Sequence, residues 1–227
     1  MNLMMVDSLS VFGKILREII KETKPRKIIE TGTYLGEGTT TVIASAVRDF
    51  NIDLEKFYSI EVNPQYFRSA YIHLRNLGLL EFVTLENGLS IYRKQLPNRD
   101  KIREMFLDTI WPDYVYIDHN KDIRVNKYFE ETNFGDVPEG LLITCLEKLE
   151  QTPDLVLLDS GGHVGELEFD TLIPMLKGPC IIALDDIYHV KHYNSLVKIK
   201  EDKRFKIMEL SKEKFGFCIT KFIPEGN

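Results

Sequence analysis

Acidic and amide side chains recur in this 227-residue chain at one kind of place, the carboxyl end of a short apolar run. Glu30 ends Ile28-Ile29, and Glu61 ends Phe57-Tyr58-Ser59-Ile60. Asn87 follows Phe82-Val83-Thr84-Leu85, Asp159 ends Leu155-Val156-Leu157-Leu158, and Asp185-Asp186 ends Ile181-Ile182-Ala183-Leu184. If these runs are parallel strands, their polar ends gather along the one edge of a sheet where open α/β sheets bind ligands. Carboxylates placed there can accept hydrogen bonds from hydroxyls, attract cations, ligate a hard divalent metal or move protons. His163, just beyond Asp159, has an ordinary pKa suited to proton removal near neutrality; helix capping or packing is its alternative role.

The densest of these stretches is KIIETGTYLGEGTTT, residues 27–41. After Glu30 comes a loop with Gly32, Gly36 and Gly38, and then Thr39-Thr40-Thr41-Val42-Ile43-Ala44, which can open a helix. Glycines let a backbone approach a ligand closely, and the helix start offers N–H groups that lack partners within the helix. The spacing excludes two relatives. A phosphate-cradling loop ends in Gly-Lys-Ser/Thr, whereas Gly38 is followed directly by Thr39. A dinucleotide fingerprint reads G-x-G-x-x-G, whereas this loop reads G-x-x-x-G-x-G, which disfavours a nicotinamide-dependent oxidoreductase. Glu30 would repel a pyrophosphate and suits a ligand bearing positive charge or hydroxyl donors. A tight turn with no ligand is the other reading.

Elements that would position these residues alternate along the chain. Helical spacing over residues 7–23 stops at Pro25, a strand covers 27–30 and a helix 38–50. A strand at 57–61, a helix at 64–77 and a strand at 82–85 follow. Two similar segments, 112–118 and 153–159, compete to be the fourth strand; the second is chosen because a helix at 163–177 and a buried-type strand at 181–186 follow it. The first then begins a hairpin, with Asp122 to Tyr128 as return arm and His119-Asn120-Lys121 near the turn. A helix over 138–149 leads into the fourth strand, a helix covers 190–201, and strands at 205–210 and 216–222 form an antiparallel pair closing one sheet edge. The expected architecture is one α/β domain over residues 1–227, a Rossmann-like, doubly wound, seven-stranded and mostly parallel sheet with an insertion at 97–137.

Bulk properties narrow the function. The chain is 44% hydrophobic with net charge −6, so the basic footprint of a nucleic-acid binder is missing. Lys198-Ile199-Lys200 and Lys203-Arg204 read as a solvated helix side. The N-terminal stretch lacks a signal-peptide pattern and no apolar run reaches ~18 residues, so the expected location is the cytoplasm, without membrane contact. Cys145, Cys180 and Cys218 are odd in number and widely spaced, the pattern of buried structural thiols.

Together these residues resemble the class I S-adenosylmethionine-dependent methyltransferases. The resemblance spans nearly the whole chain. The family's first loop, acid-x-Gly-x-x-x-Gly-x-Gly, is matched by Glu30-Thr31-Gly32-Thr33-Tyr34-Leu35-Gly36-Glu37-Gly38, and this implies that the loop through Thr39 wraps the methionine part and ribose of the cofactor. Glu61 fits the strand-two acid that accepts from both ribose hydroxyls, and Asn87-Gly88 stands where many members have Gly-Asp beside the adenine. The segment Asp159-Ser160-Gly161-Gly162-His163 through Asp185-Asp186 is similar to small-molecule O-methyltransferases of the catechol, caffeoyl-CoA and macrolide-sugar types, and to cephalosporin-hydroxylase-like relatives. That likeness implies that Asp159, Asp185 and Asp186 surround Mg²⁺, which would lower the pKa of a substrate hydroxyl. The bland alternative is that Asp159 borders the cofactor and Asp185-Asp186 caps a loop. His163 and Asp159 are the catalytic candidates. His189 and His192 could touch metal or substrate, while His73 and His119 have no assignment.

The expected reaction is in-line methyl transfer from a sulfonium to a hydroxyl oxygen of a small molecule such as a sugar or polyketide. Competing readings are a cofactor-binding module without transfer and a macromolecular methyltransferase. The aromatic insertion, with Trp111, Tyr114, Tyr116, Tyr128, Phe129 and Phe134, would be either a lid over the acceptor or a homodimer contact.

Overall fold

The computed structural model describes residues 9–105, 109–117 and 121–225. Ser10 caps the first helix, α1 (Val11–Thr23), by accepting the Gly13 amide on its hydroxyl at 3.0 Å. Phe12, Leu16, Ile19 and Ile20 recur at helical spacing and are buried. Lys24, in the left-handed conformation, and Pro25 end the helix. The expected start at residue 7 lies outside the described residues.

The strands are β1 (Lys27–Thr31), β2 (Lys56–Glu61), β3 (Thr84–Asn87), β4 (Leu155–Leu158), β5 (Cys180–Asp185), β6 (Phe205–Ser211) and β7 (Phe217–Phe222). They form one seven-stranded sheet in the order β3-β2-β1-β4-β5-β7-β6. The first five pair in parallel, and β7 pairs antiparallel with both β5 and β6. Helices α2 (Thr39–Asp49), α3 (Pro64–Asn76), α6 (Leu141–Lys148), α7 (Gly165–Leu172) and α8 (Tyr193–Glu201) link or cover them. Alternate residues of each strand serve opposite faces. Ile28, Leu155, Leu157, Ile181 and Ala183 join α1 and α2 in one core. Ile29, Val156, Leu158, Ile182 and Leu184 join α6, α7 and α8 in the other. Burial on both faces explains why these strands read as continuous apolar runs. The three cysteines are free and buried, as expected.

Chain direction across the sheet reverses between β1 and β4, so the crevice at their carboxyl ends is the topological switch point. Among the described residues no helix is long and apolar enough to cross a membrane.

The choice of residues 153–159 as the fourth strand holds, but the hairpin does not. Residues 121–130 form helix α5 (Lys121–Glu130), and Tyr116 makes a single parallel bridge to His189 instead of a ladder. The reason is periodicity: Val125 and Tyr128 are buried and Phe129 packs beside them, a spacing of three and four rather than two. These residues, with Ile102 of α4 (Arg99–Arg103), Val115 and Val190, make a small separate core. His119, placed at the hairpin turn, lies outside the described residues. The third strand also sits later than expected. Leu80–Phe82 forms a 3-10 turn, and pairing of Tyr58 with Thr84 and of Glu61 with Asn87 sets the register. Because β3 is an edge strand of half-buried residues, its apolar signal is weak. Finally, α8 begins at Tyr193, leaving residues 190–192 in the preceding loop.

Candidate active site

Glu30 faces inward. It is fully buried, with Oε1 accepting from Thr39 Oγ1 at 2.5 Å and Oε2 from Thr40 Oγ1 at 2.6 Å and Ser59 Oγ at 2.5 Å. Burial lifts its pKa from the ordinary 4.5 to about 7, against the pull of those hydroxyls. The expectation that this carboxylate serves a ligand's hydroxyls is therefore corrected: it serves hydroxyls of its own chain, tying β1 to β2 and to the start of α2. Thr39 spends its hydroxyl the same way, and Thr33 Oγ1 lies 2.6 Å from Ser59 Oγ.

Gly32 has φ +84°, and a Cβ there would stand 2.2 Å from the carbonyl oxygen of Asp159. The loops after β1 and β4 thus touch, and only glycine permits it. Gly36, at φ +74°, and Gly38, the residue before α2, complete the turn. Tyr34, at φ 53° and 40% exposed, sets its ring edge-on to Tyr66.

Glu61 closes the other side of this loop. Its Oε2 accepts the Tyr34 amide at 2.7 Å and its Oε1 the Asn63 amide at 2.8 Å. The Val62 amide also bonds this carboxylate. Burial raises this carboxyl from 4.5 to about 7, opposed by the Asn63 and Tyr34 amides. Asn87 donates its side-chain amide to the Glu61 carbonyl at 2.7 Å, and the Gly88 amide donates to the same oxygen at 3.0 Å. The pair therefore fixes the end of β2 as well as bordering the site.

Across the switch point lies a charged cluster. Asp159, Asp185 and Asp186 are half-buried, with oxygens within 4.8 Å of one another. Sequence reasoning missed its fourth member, Lys191, whose Nζ donates to Asp159 Oδ1 at 2.6 Å and to Asp186 Oδ2 at 3.0 Å. Burial opposes the lysine's charge, but Asp159, Asp186 and Asp185 hold its ammonium well above the usual range. Burial and the neighbouring Asp159 and Asp186 push Asp185 well up. Burial also raises Asp159, whereas in Asp186 the Lys191 charge and hydrogen bond overcome burial and lower it. A lysine inside Val190-Lys191-His192, between buried neighbours, was the available signal. Glu168 was also missed: fully buried on α7, it accepts from Thr31 Oγ1 at 2.8 Å and Ser160 Oγ at 2.6 Å, joining the ends of β1 and β4. Its signal was an acid beside Phe169 on the apolar face of α7.

His163 is 2% exposed, its Nε2 lies 3.3 Å from Thr132 Oγ1, and its Nδ1 has no partner among the described residues. Burial lowers its pKa to about 4, so the ring is neutral at pH 7. His189 takes the Lys191 amide on Nδ1 at 3.2 Å and sets Nε2 3.1 Å from the Tyr128 hydroxyl. His192 is buried with Nδ1 3.3 Å from Ser195 Oγ, and His73 pairs with Thr41 on the far side of the first loop. The Tyr128 ring lies against Gly162 and the Glu131 side chain against Gly161, so α5 and its end cover the loop that carries His163.

The fold is similar to that of solved S-adenosylmethionine-dependent O-methyltransferases. Solved structures share it at low identity. The O-methyltransferase TomG from Streptomyces achromogenes, involved in tomaymycin synthesis and solved with SAM, is 13% identical with a TM-score of 0.54, over 94% of this chain and 80% of that one. An O-methyltransferase from Bacillus cereus in complex with SAH is 13% identical with a TM-score of 0.55, over 95% of this chain and 82% of that one. A methyltransferase from Geobacter sulfurreducens is 11% identical with a TM-score of 0.57, over 97% and 82%. No family model matches the chain.

Proposed function

We propose that this protein is an S-adenosylmethionine-dependent methyltransferase that methylates a hydroxyl of a small molecule. The observation that carries the reading is Glu61: a carboxylate at the end of β2 beside the glycine loop, its oxygens fixed in place by the Tyr34, Asn63 and Val62 amides. Such a group suits a vicinal diol of the ribose type and repels a pyrophosphate. Gly32, Thr33, Tyr34, Gly36, Gly38 and Thr39 shape the loop around the cofactor, and Asn87 and Gly88 border its base.

When bound, the cofactor supplies a sulfonium methyl that reacts with an oxygen nucleophile. The protein's own work is alignment, water exclusion and proton handling. Asp159, at the end of β4 and touching the first loop, faces the positive charge of a bound sulfonium. Neutral His163 offers the unpartnered Nδ1 as acceptor of the substrate's hydroxyl proton. Helix α5, buried against this loop through Tyr128, acts as the lid that holds the acceptor and keeps water out. Magnesium assistance does not fit the acid set, because Lys191 Nζ already bonds two of its three carboxylates.

The test is transfer from methyl-labelled S-adenosylmethionine to a panel of phenols, catechols and sugar hydroxyls. Label appearing in an ether product supports the reading. Cofactor binding without transfer to any acceptor class, with protein or RNA labelled instead, would overturn the small-molecule assignment.

A further inference from the structure

Among the described residues, the cluster that could hold a divalent ion is Asp159, Asp185 and Asp186, and Lys191 reaches that same place. Its side chain is 5% exposed, and the ammonium bonds Asp159 at 2.6 Å and Asp186 at 3.0 Å. The loop that delivers it is built for the purpose. Asp186 adopts φ +58°, the His189 amide returns to the Asp186 carbonyl at 3.0 Å, and the Lys191 amide is held on the His189 ring at 3.2 Å. The lysine stem packs closely on α7 at Gly165, where an added Cβ would stand only 2.7 Å from Lys191 Cγ. Magnesium requires near-octahedral oxygen ligation. Here two of the three carboxylates already satisfy a cation, and a second one would stand beside the ammonium.

We infer that Lys191 is the resident cation of the acid cluster, standing where a divalent metal would otherwise bind, and that the protein requires no divalent ion. The lysine fixes the loops after β4 and β5 to each other and sets the charge of the acceptor side of the cleft. The inference concerns the cluster in the site described above and does not depend on which reaction that site performs.

The experiment is titration of the full chain with Mn²⁺, followed by electron paramagnetic resonance of free Mn²⁺, together with thermal melting in EDTA, Mg²⁺ and Mn²⁺. Neither measurement needs cofactor or turnover, so failure of the methyltransferase reading leaves the result intact. The wild-type protein is expected to take up no stoichiometric Mn²⁺ and to melt at the same temperature in all three conditions. Lys191→Ala is expected to gain one-to-one Mn²⁺ binding, lost again in Lys191→Ala/Asp185→Asn, with an upward melting shift of about 4 °C in Mn²⁺. One-to-one Mn²⁺ binding by the wild type that Asp185→Asn abolishes would overturn the inference. A folded Lys191→Ala that takes up no Mn²⁺ would equally show that the lysine does not occupy a metal's place. If that variant does not fold, the wild-type and Asp185→Asn titrations decide alone.

Discussion

The two sides of the cleft are held together by different physics. The side formed by the ends of β1 and β2 is wired by neutral donors: hydroxyls of Thr39, Thr40 and Ser59 on Glu30, and backbone amides of Tyr34 and Asn63 on Glu61. The side formed by the ends of β4 and β5 is ionic, with one ammonium among three carboxylates and two buried histidines beside it. Neutral wiring suits a surface that must present fixed acceptors to one invariant ligand. Ionic wiring, under an inserted helix, suits a surface that meets a varied acceptor and handles its proton. On the proposed function, the difference predicts that binding and chemistry can be perturbed separately.

Substitutions can sharpen that separation. The largest effect is expected from Gly32→Ala, where a positive φ and a 2.2 Å approach to the Asp159 carbonyl act together. It should cost about 4 kcal/mol by denaturant unfolding, since it pries the two sides apart. Lys191→Met should cost about 3 kcal/mol by leaving Asp159 and Asp186 without their cation. Unlike the first change, its penalty should shrink in high salt, which partly screens the half-buried acids left behind; a salt-independent penalty would argue against ionic wiring. His163→Gln should lower the rate of methyl transfer about 10²-fold with cofactor affinity unchanged. In the wild type, the group whose pKa sits at about 4 should keep activity on acidification well below 6.5. Glu61→Gln should weaken cofactor binding about 30-fold, or about 2 kcal/mol, and should also cost about 1–2 kcal/mol of stability, because its single acceptor oxygen leaves the Tyr34 or the Asn63 amide facing an NH2 donor.

The two sides also differ in their pH dependence. Glu61 is raised from 4.5 to about 7 in the free protein, so the folded state holds a proton that the unfolded state releases between those values. Glu30 and Glu168 share that shift, so stability of the free protein should fall as pH rises from 4.5 towards 7. Ribose hydroxyls favour the ionised carboxylate. Cofactor affinity should therefore rise with pH up to about 7, by at most about tenfold per unit, and level off above it. A flat profile from calorimetry in that window would remove Glu61 from direct contact.

What could be read in advance follows the same division. The glycine spacing, the acids at strand ends and the choice of residues 153–159 as β4 are local patterns, and they imply a seven-stranded, mostly parallel sheet with an antiparallel C-terminal pair, whereas the strand order comes from the structure. The inward turn of Glu30 was not legible, because its partners Ser59 and Thr40 lie on other elements and become donors only once the sheet forms. Lys191 was hidden for a similar reason: its place depends on the Asp186 turn, whereas its sequence neighbourhood looked like the start of a helix. Helix α5 was misread because a short, polar, aromatic-rich segment carries few apolar positions from which to judge period.

The central claim, that the glycine loop and Glu61 form a site for a sulfonium nucleoside and not for a dinucleotide, is tested most directly by calorimetric titration of the wild-type protein. S-adenosylmethionine should bind one-to-one, with EDTA making no difference, and NAD should give no heat of binding. Saturable NAD binding with no response to S-adenosylmethionine would contradict the account.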